Sequence, residues 1–147
     1  MTIKPNILVI FTDMQRSDTI NALGNKIIVT PSLNRLVHEG TSFVQCYTPS
    51  PVCVSARCSM HYGQYPSKTE CNDNQPMKKD NDDSFVFYLQ EAGYYTHSIG
   101  KCHFAPDSYE LRGFQTREIQ EELITDPERD NYIQDLFNSG YSHIIDP

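Results

Sequence analysis

The chain has 147 residues, twelve basic and nineteen acidic, for a net charge of −7; at that length one domain buries roughly two-thirds of its unfolded surface. Apolar residues, counted with glycine and without tyrosine, make up about 37% of the chain, against a usual ~45–50%. An acidic chain with no basic cluster beyond Lys78-Lys79 has no electrostatic reason to collect on nucleic acid, and its thin apolar supply implies a core completed in part by a neighbour.

The first apolar run lies in "NILVIFTD", and it predicts a central parallel strand over Asn6–Thr12 with Asp13 at its carboxyl end. Five residues are far short of a membrane span. No small-residue cleavage site comes after the run, so the sequence as written reads as cytoplasmic, or as periplasmic or secreted if a leader has been removed. "TPSLNRLVHEG" predicts a helix over Pro31–Glu39, with Thr30 as cap, Gly40 as stop and Leu33, Leu36 and Val37 inward. "TSFVQCYT" is a second strand candidate, with Cys46 as a buried small hydrophobe.

A third apolar element, "CVSARCSMHYG", predicts a helix over Cys53–Tyr62 that stops at Gly63, and Ser67 to Asp83 reads as loop. Ser84 is placed to cap a helix running to Ala92, after which "YYTHSIG" alternates as a strand. "FQTREIQEEL" reads as an extra strand or an exposed ribbon. "DPERDNYIQDLFNSG" predicts a helix over Pro127–Asn138, capped by Asp126, with Ile133, Leu136 and Phe137 inward. "YSHIIDP" begins one more strand. This alternation predicts an α/β fold: layered, with a mixed, mostly parallel sheet flanked by helices.

Ligands in such sheets sit outside the carboxyl ends of the strands. Asp13 closes the first strand, Lys101 and His103 in "GKCHF" come after the "YYTHSIG" strand, and Cys53 begins a helix in a connection. These residues are expected to meet at one edge. A helix start offers free N–H groups and a positive dipole end, which lower the pKa of a cysteine placed there. Arg57, one turn on, reaches the same anion with a forked pair of hydrogen bonds. The bland readings of the same residues are a turn-forming Asp, a solvated Lys and His, and a buried structural cysteine. The five cysteines, Cys46, Cys53, Cys58, Cys71 and Cys102, include no Cys-x-x-Cys and are odd in number, so they are not a secreted disulfide framework.

"PVCVSARCSMHYGQYP" resembles the sulfatase signature, Cys-x-Pro-Ser-Arg succeeded by a helix and a Thr-Gly-x-Tyr-Pro-like close. "KPNILVIFTDMQRSD" resembles the family's opening metal-binding strand, "TPSLNRLVHEG" its first helix, and "GKCHF" its Gly-Lys-x-His motif. "APDSYELRGF" is similar to the segment next to that motif in choline-sulfatase-like members. The single Asp13 points to the choline sulfatase and phosphonate monoester hydrolase side of this alkaline phosphatase-like superfamily. The resemblance implies that residues 1–147 are the amino-terminal part of a sulfatase-like catalytic domain, incomplete relative to the full family fold.

It also implies a chemistry. The signature cysteine is oxidised to formylglycine, whose hydrate attacks sulfur with one hydroxyl and releases the covalent sulfate with the other. By this likeness Cys53 becomes nucleophile and metal ligand, and Asp13 a ligand of a divalent metal, calcium in the first instance. Arg57 supports the diol, Lys101 neutralises the ester oxygens, His103 transfers a proton, and Asn74 contacts a small-molecule or saccharide sulfate ester. Ser55 stands where the maturation signature has Pro or Ala, Ala56 where it has Ser, and Tyr62 where Thr is common. Cys53 is therefore expected to remain a thiol in an ordinary recombinant host. The family's other metal ligands come from later in longer chains, so these residues alone are expected to be inactive without the carboxyl-terminal portion. The competing readings are a phosphate or phosphonate ester hydrolase, a non-catalytic sulfatase-like fragment, and a small zinc module of Cys53, Cys58, His61 and Cys71.

Overall fold

The computed structural model describes residues 4–77, 83–122 and 124–141. Lys78-Lys79 and nearly all of the expected last strand, "YSHIIDP", lie outside them. The chain divides into two compact units at Tyr47–Thr48.

In the first unit two short 3₁₀ turns, Ser17–Thr19 and Asn21–Leu23, precede helix α1, Pro31–Glu39. The helix has the predicted bounds, because Pro31 is pre-organised for its first turn and Gly40 ends it. Thr30 occupies the N-cap position, but its hydroxyl does not cap the helix. It accepts from Asn21 N–H at 2.9 Å and hydrogen-bonds Asn34 Oδ1 at 2.9 Å, tying the preceding turn to the helix. Asn34 Oδ1 also accepts from Ala22 N–H. Leu33 and Val37 are half-buried, whereas Leu36, expected inward, is exposed.

The two strands expected in this unit do not form. Residues 6–12 and 41–48 carry no strand, and Ile7 to Phe11 are exposed, Leu8 to 84%. A strand is stabilised by its ladder and by packing on both faces, and among the described residues no other strand pairs with either segment. Cys46 is correspondingly exposed and not buried.

The second unit contains helix α2, Cys53–Tyr62, a one-turn α3, Pro66–Thr69, that overlaps the start of the expected loop, and α4, Phe85–Glu91. Ser84 caps α4 as predicted, its Oγ accepting from Phe87 N–H at 3.1 Å. Strands β1, His97–Ile99, and β2, Thr116–Glu118, pair in parallel, with Ser98 opposite Arg117. Helix α5, Asn131–Asn138, starts four residues later than predicted. Its cap is Asp130 and not Asp126, because Asp130 Oδ1 accepts from Ile133 N–H at 3.0 Å while Oδ2 accepts from Glu121 N–H at 3.1 Å. Ile133 is buried, Leu136 half-buried and Phe137 exposed.

Val54, Cys58, Tyr62, Cys71, Met77 and Phe104 form the core of this unit. Around it, buried arginines take the place of missing apolar bulk. Arg112 donates to Ala105 C=O at 2.7 Å and pairs with Glu110 at 2.7 Å. Arg117 donates to Ser98 Oγ, to the carbonyls of Ser108 and Glu110 and to the Glu121 carboxylate, with its guanidinium 4.8 Å from the Phe104 ring centroid.

His61 on α2 sits among aromatic rings, 4.9 Å from Tyr62, 5.2 Å from Phe104 and 5.8 Å from Phe85. Its Nε2 is buried and has no hydrogen-bond partner among the described residues. Burial, and then the Arg112 charge, push its pKa down from 6.5 to about 4. The unfolded chain thus binds the proton more tightly than the folded one. Stability is full above pH 6.5 and falls as pH drops toward 4, by about 3 kcal/mol in all. Thermal melts across this range should show a steeper acid loss for the wild type than for His61→Phe, and parallel curves would contradict the assignment.

Candidate active site at the start of helix α2

Cys53 is the first residue of α2, after Val52 in extended backbone, and is half-buried. Its thiol donates to Asn74 Oδ1 at 3.3 Å, and the same oxygen accepts from Val54 N–H at 3.4 Å. Asn74 therefore caps the helix from a distant loop. It takes up an N–H expected to be open to an anion, and it touches the sulfur directly.

The residue after Val54 departs from the sulfatase signature for a visible reason. Ser55 is fully buried, and its hydroxyl donates to Cys71 C=O at 2.5 Å. A Pro or Ala there would leave that interior carbonyl without this partner. Arg57, one turn beyond Cys53, is 6% exposed, and its Nη1 donates to Lys101 C=O at 2.6 Å. Arg57 thus holds the loop that carries Lys101, Cys102 and His103 against the helix.

That loop is pinned from its other side by Glu121. Cys102 N–H and His103 N–H both donate to Glu121 Oε1 at 3.1 Å. Glu121 is 2% exposed and pairs with Arg117 at 3.3 Å. His103 has φ +57°, a left-handed conformation that histidine adopts more readily than most residues other than glycine. Lys101 Nζ pairs with Glu122 at 2.8 Å. Burial lowers the His103 pKa, as does the Lys101 charge, against the opposing pull of Glu121 and Glu122.

Cys53 Sγ, a ring nitrogen of His103 and a carboxylate oxygen of Glu122 lie within 4.8 Å of one another. The structure thus gathers Cys53, Arg57, Asn74, Lys101 and His103 at one place in the second unit. Asp13 lies at a bend in the first unit. The zinc module does not form: Cys58 and Cys71 are in the core, His61 faces aromatic rings, and the four make no ligand group among the described residues. Glu121 and Glu122 were not singled out by any sequence motif. They come after β2 as Lys101 and His103 come after β1, and the rule that ligands collect beyond carboxyl strand ends points to both.

The sequence profile of the sulfatase family matches residues 5–144. A choline-sulfatase of Rhizobium meliloti is 37% identical over 115 residues, covering 78% of this chain and 22% of that protein. An N-acetylglucosamine-6-O-sulfatase of Bacteroides thetaiotaomicron is 28% identical over 145 residues, covering 99% of this chain and 25% of that one. The crystal structure of the phosphonate monoester hydrolase of Agrobacterium radiobacter superposes with a TM-score of 0.78 at 22% identity, covering 94% of this chain and 29% of that chain. The fold is that of the alkaline phosphatase-like enzymes, of which this chain holds helices and a small parallel sheet. The chain spans about a quarter or less of the length of these two curated relatives. With its signature helix, its Gly-Lys-x-His loop and a family match over nearly its whole length, the chain belongs to the sulfatase family.

Proposed function

We propose that the protein carrying these residues hydrolyses sulfuric esters, with formylglycine made from Cys53 as its nucleophile. The observation that carries the reading is Cys53 at a helix start, hydrogen-bonded to Asn74 and with its sulfur within 4.8 Å of a ring nitrogen of His103. Once formed, formylglycine supplies an aldehyde hydrate, with one hydroxyl for attack and one for release. The Asn74 side-chain oxygen that accepts from the thiol accepts equally from a hydroxyl at the same atom position. His103, kept neutral more readily by its burial, can take or return a proton there. Lys101 supplies a cation for the ester oxygens when it exchanges Glu122 for substrate. Arg57 holds the Lys101–His103 loop in place.

The residues gathered around Cys53 do not by themselves fill a calcium shell. Calcium takes six to eight oxygens, whereas the cluster offers one sulfur, one nitrogen and one carboxylate.

The test is turnover by the full-length protein from a host with the maturation machinery, with peptide mass spectrometry across Pro51 to Arg57. Sulfate-ester hydrolysis by a fraction carrying the aldehyde is the expected result, and residues 1–147 alone should show no turnover. A higher kcat/KM for phosphonate or phosphate esters would transfer the reading to that class, and activity from a fraction with an intact thiol would overturn the formylglycine route.

A further inference from the structure

The three donors that do not fill a calcium shell suit a different ion. Thiolate, imidazole and carboxylate together form the donor set of zinc and similar borderline divalent ions. Around such an ion, bond lengths of ~2.0–2.3 Å place tetrahedral ligand atoms about 3.4–3.6 Å apart. The ligand atoms of Cys53, His103 and Glu122 already lie within 4.8 Å of one another, so closure needs side-chain movement of the order of 1 Å. We propose that the unconverted thiol form of Cys53 binds a zinc-class divalent ion together with His103 and Glu122, leaving the fourth position open.

Each ligand is held from outside the cluster, as metal sites require. Cys53 is fixed at the first position of α2, whose start is capped by Asn74. His103 stands on a backbone that two hydrogen bonds to Glu121 pin. The neighbouring Glu121, locked by Arg117 and by Asp130, sets the backbone from which Glu122 extends. His103 Nδ1 is buried and has no hydrogen-bond partner among the described residues. Lys101, paired with Glu122 at 2.8 Å, remains as an outer hydrogen-bond donor to the ligating carboxylate.

A divalent ion replaces the thiol proton, which passes to solvent; the thiolate and Glu122 match the ion itself, and the retained Lys101 ammonium leaves the cluster with one net positive charge. The bound sulfur is no longer free to be oxidised or alkylated, so metal binding and maturation of Cys53 exclude each other.

Zinc binding by the thiol form does not depend on ester hydrolysis. It is tested on the chain with Cys53 verified as a thiol by intact mass, titrated with Co²⁺ and with Zn²⁺ in competition. The expected result is one equivalent of Co²⁺ with a thiolate-to-cobalt charge-transfer band, displaced by Zn²⁺ and not by Ca²⁺. Cys53→Ser should remove the band, Glu122→Gln should weaken zinc binding roughly 10–100-fold, and Cys46→Ser, at an exposed cysteine outside the cluster, should change nothing. A band that survives Cys53→Ser, or affinity unmoved by Glu122→Gln, would overturn the site. Independently of any variant, Zn²⁺ should slow alkylation of Cys53 in the wild-type chain, mapped by peptide mass; equal rates with and without zinc would refute the proposal.

Discussion

Replacing Cys53 by alanine in the full-length protein is expected to abolish ester hydrolysis while leaving the fold intact. Removing the nucleophile of a covalent mechanism costs on the order of 10⁶ in turnover when its partners act only through it. The structural cost is small by comparison. Cys53 is half-buried at the first turn of α2, its sulfur makes a weak hydrogen bond to Asn74, and alanine is a strong helix former. Melting within a few degrees of wild type, with no detectable turnover, is the predicted pair of results. Cys53→Ser sharpens the test, since one hydroxyl permits attack but offers no second hydroxyl to release sulfate. A single stoichiometric burst without turnover is expected of it. Wild-type turnover by Cys53→Ala would remove Cys53 from the chemistry altogether.

The second large effect is one of stability, and it lies away from the nucleophile. Arg117→Ala is expected to destabilise the chain by about 3–5 kcal/mol, the cost of leaving one member of a buried ion pair without the other. The Arg117 and Glu121 side chains are 0% and 2% exposed and 3.3 Å apart. Glu121 in turn accepts both N–H groups that set the Cys102–His103 backbone. Without Arg117 the Glu121 carboxylate either draws in water or takes a proton, and the loop beneath His103 loses its anchor. Against a typical total of ~5–15 kcal/mol, a loss of that size is visible as a lower denaturant midpoint, and the full-length protein should lose turnover in parallel. Arg117→Lys keeps the charge but not the fork to Ser98, Ser108, Glu110 and Glu121, so it should fall between. A change below about 1 kcal/mol for Arg117→Ala would mean that Glu121 is held by other means.

The helices were legible where their signals are local. Pro31 and Gly40 bound α1, Cys53 and Gly63 bound α2, and the Ser84 hydroxyl caps α4 through a residue three positions away. The candidate-site motifs were legible for the same reason: Cys53 and Arg57 are one helical turn apart, and the Gly-Lys-x-His loop comes directly after strand β1. The start of α5 was not. Asp126 and Asp130 are equally good caps by composition, and Asp130 wins because its second oxygen is taken by Glu121 N–H, nine residues back in sequence.

The amino-acid sequence by itself determined the set of elements whose hydrogen bonds close within a few residues, together with the side chains they carry into the site. The family likeness also lies wholly in its motifs. Only the tertiary structure decided which apolar runs become strands, because a ladder needs a partner that propensity does not name. Ile7 to Phe11, the most strand-like run in the chain, pairs with no other strand among the described residues, while the three-residue segments at His97 and Thr116 pair with each other. Tertiary structure likewise decided that Arg57 braces a backbone carbonyl, that Ser55 serves the core, and that Glu122 stands beside Cys53. Each of these contacts joins residues 16 or more positions apart, and their separation is set by the packing of α2 against the loops after β1 and β2.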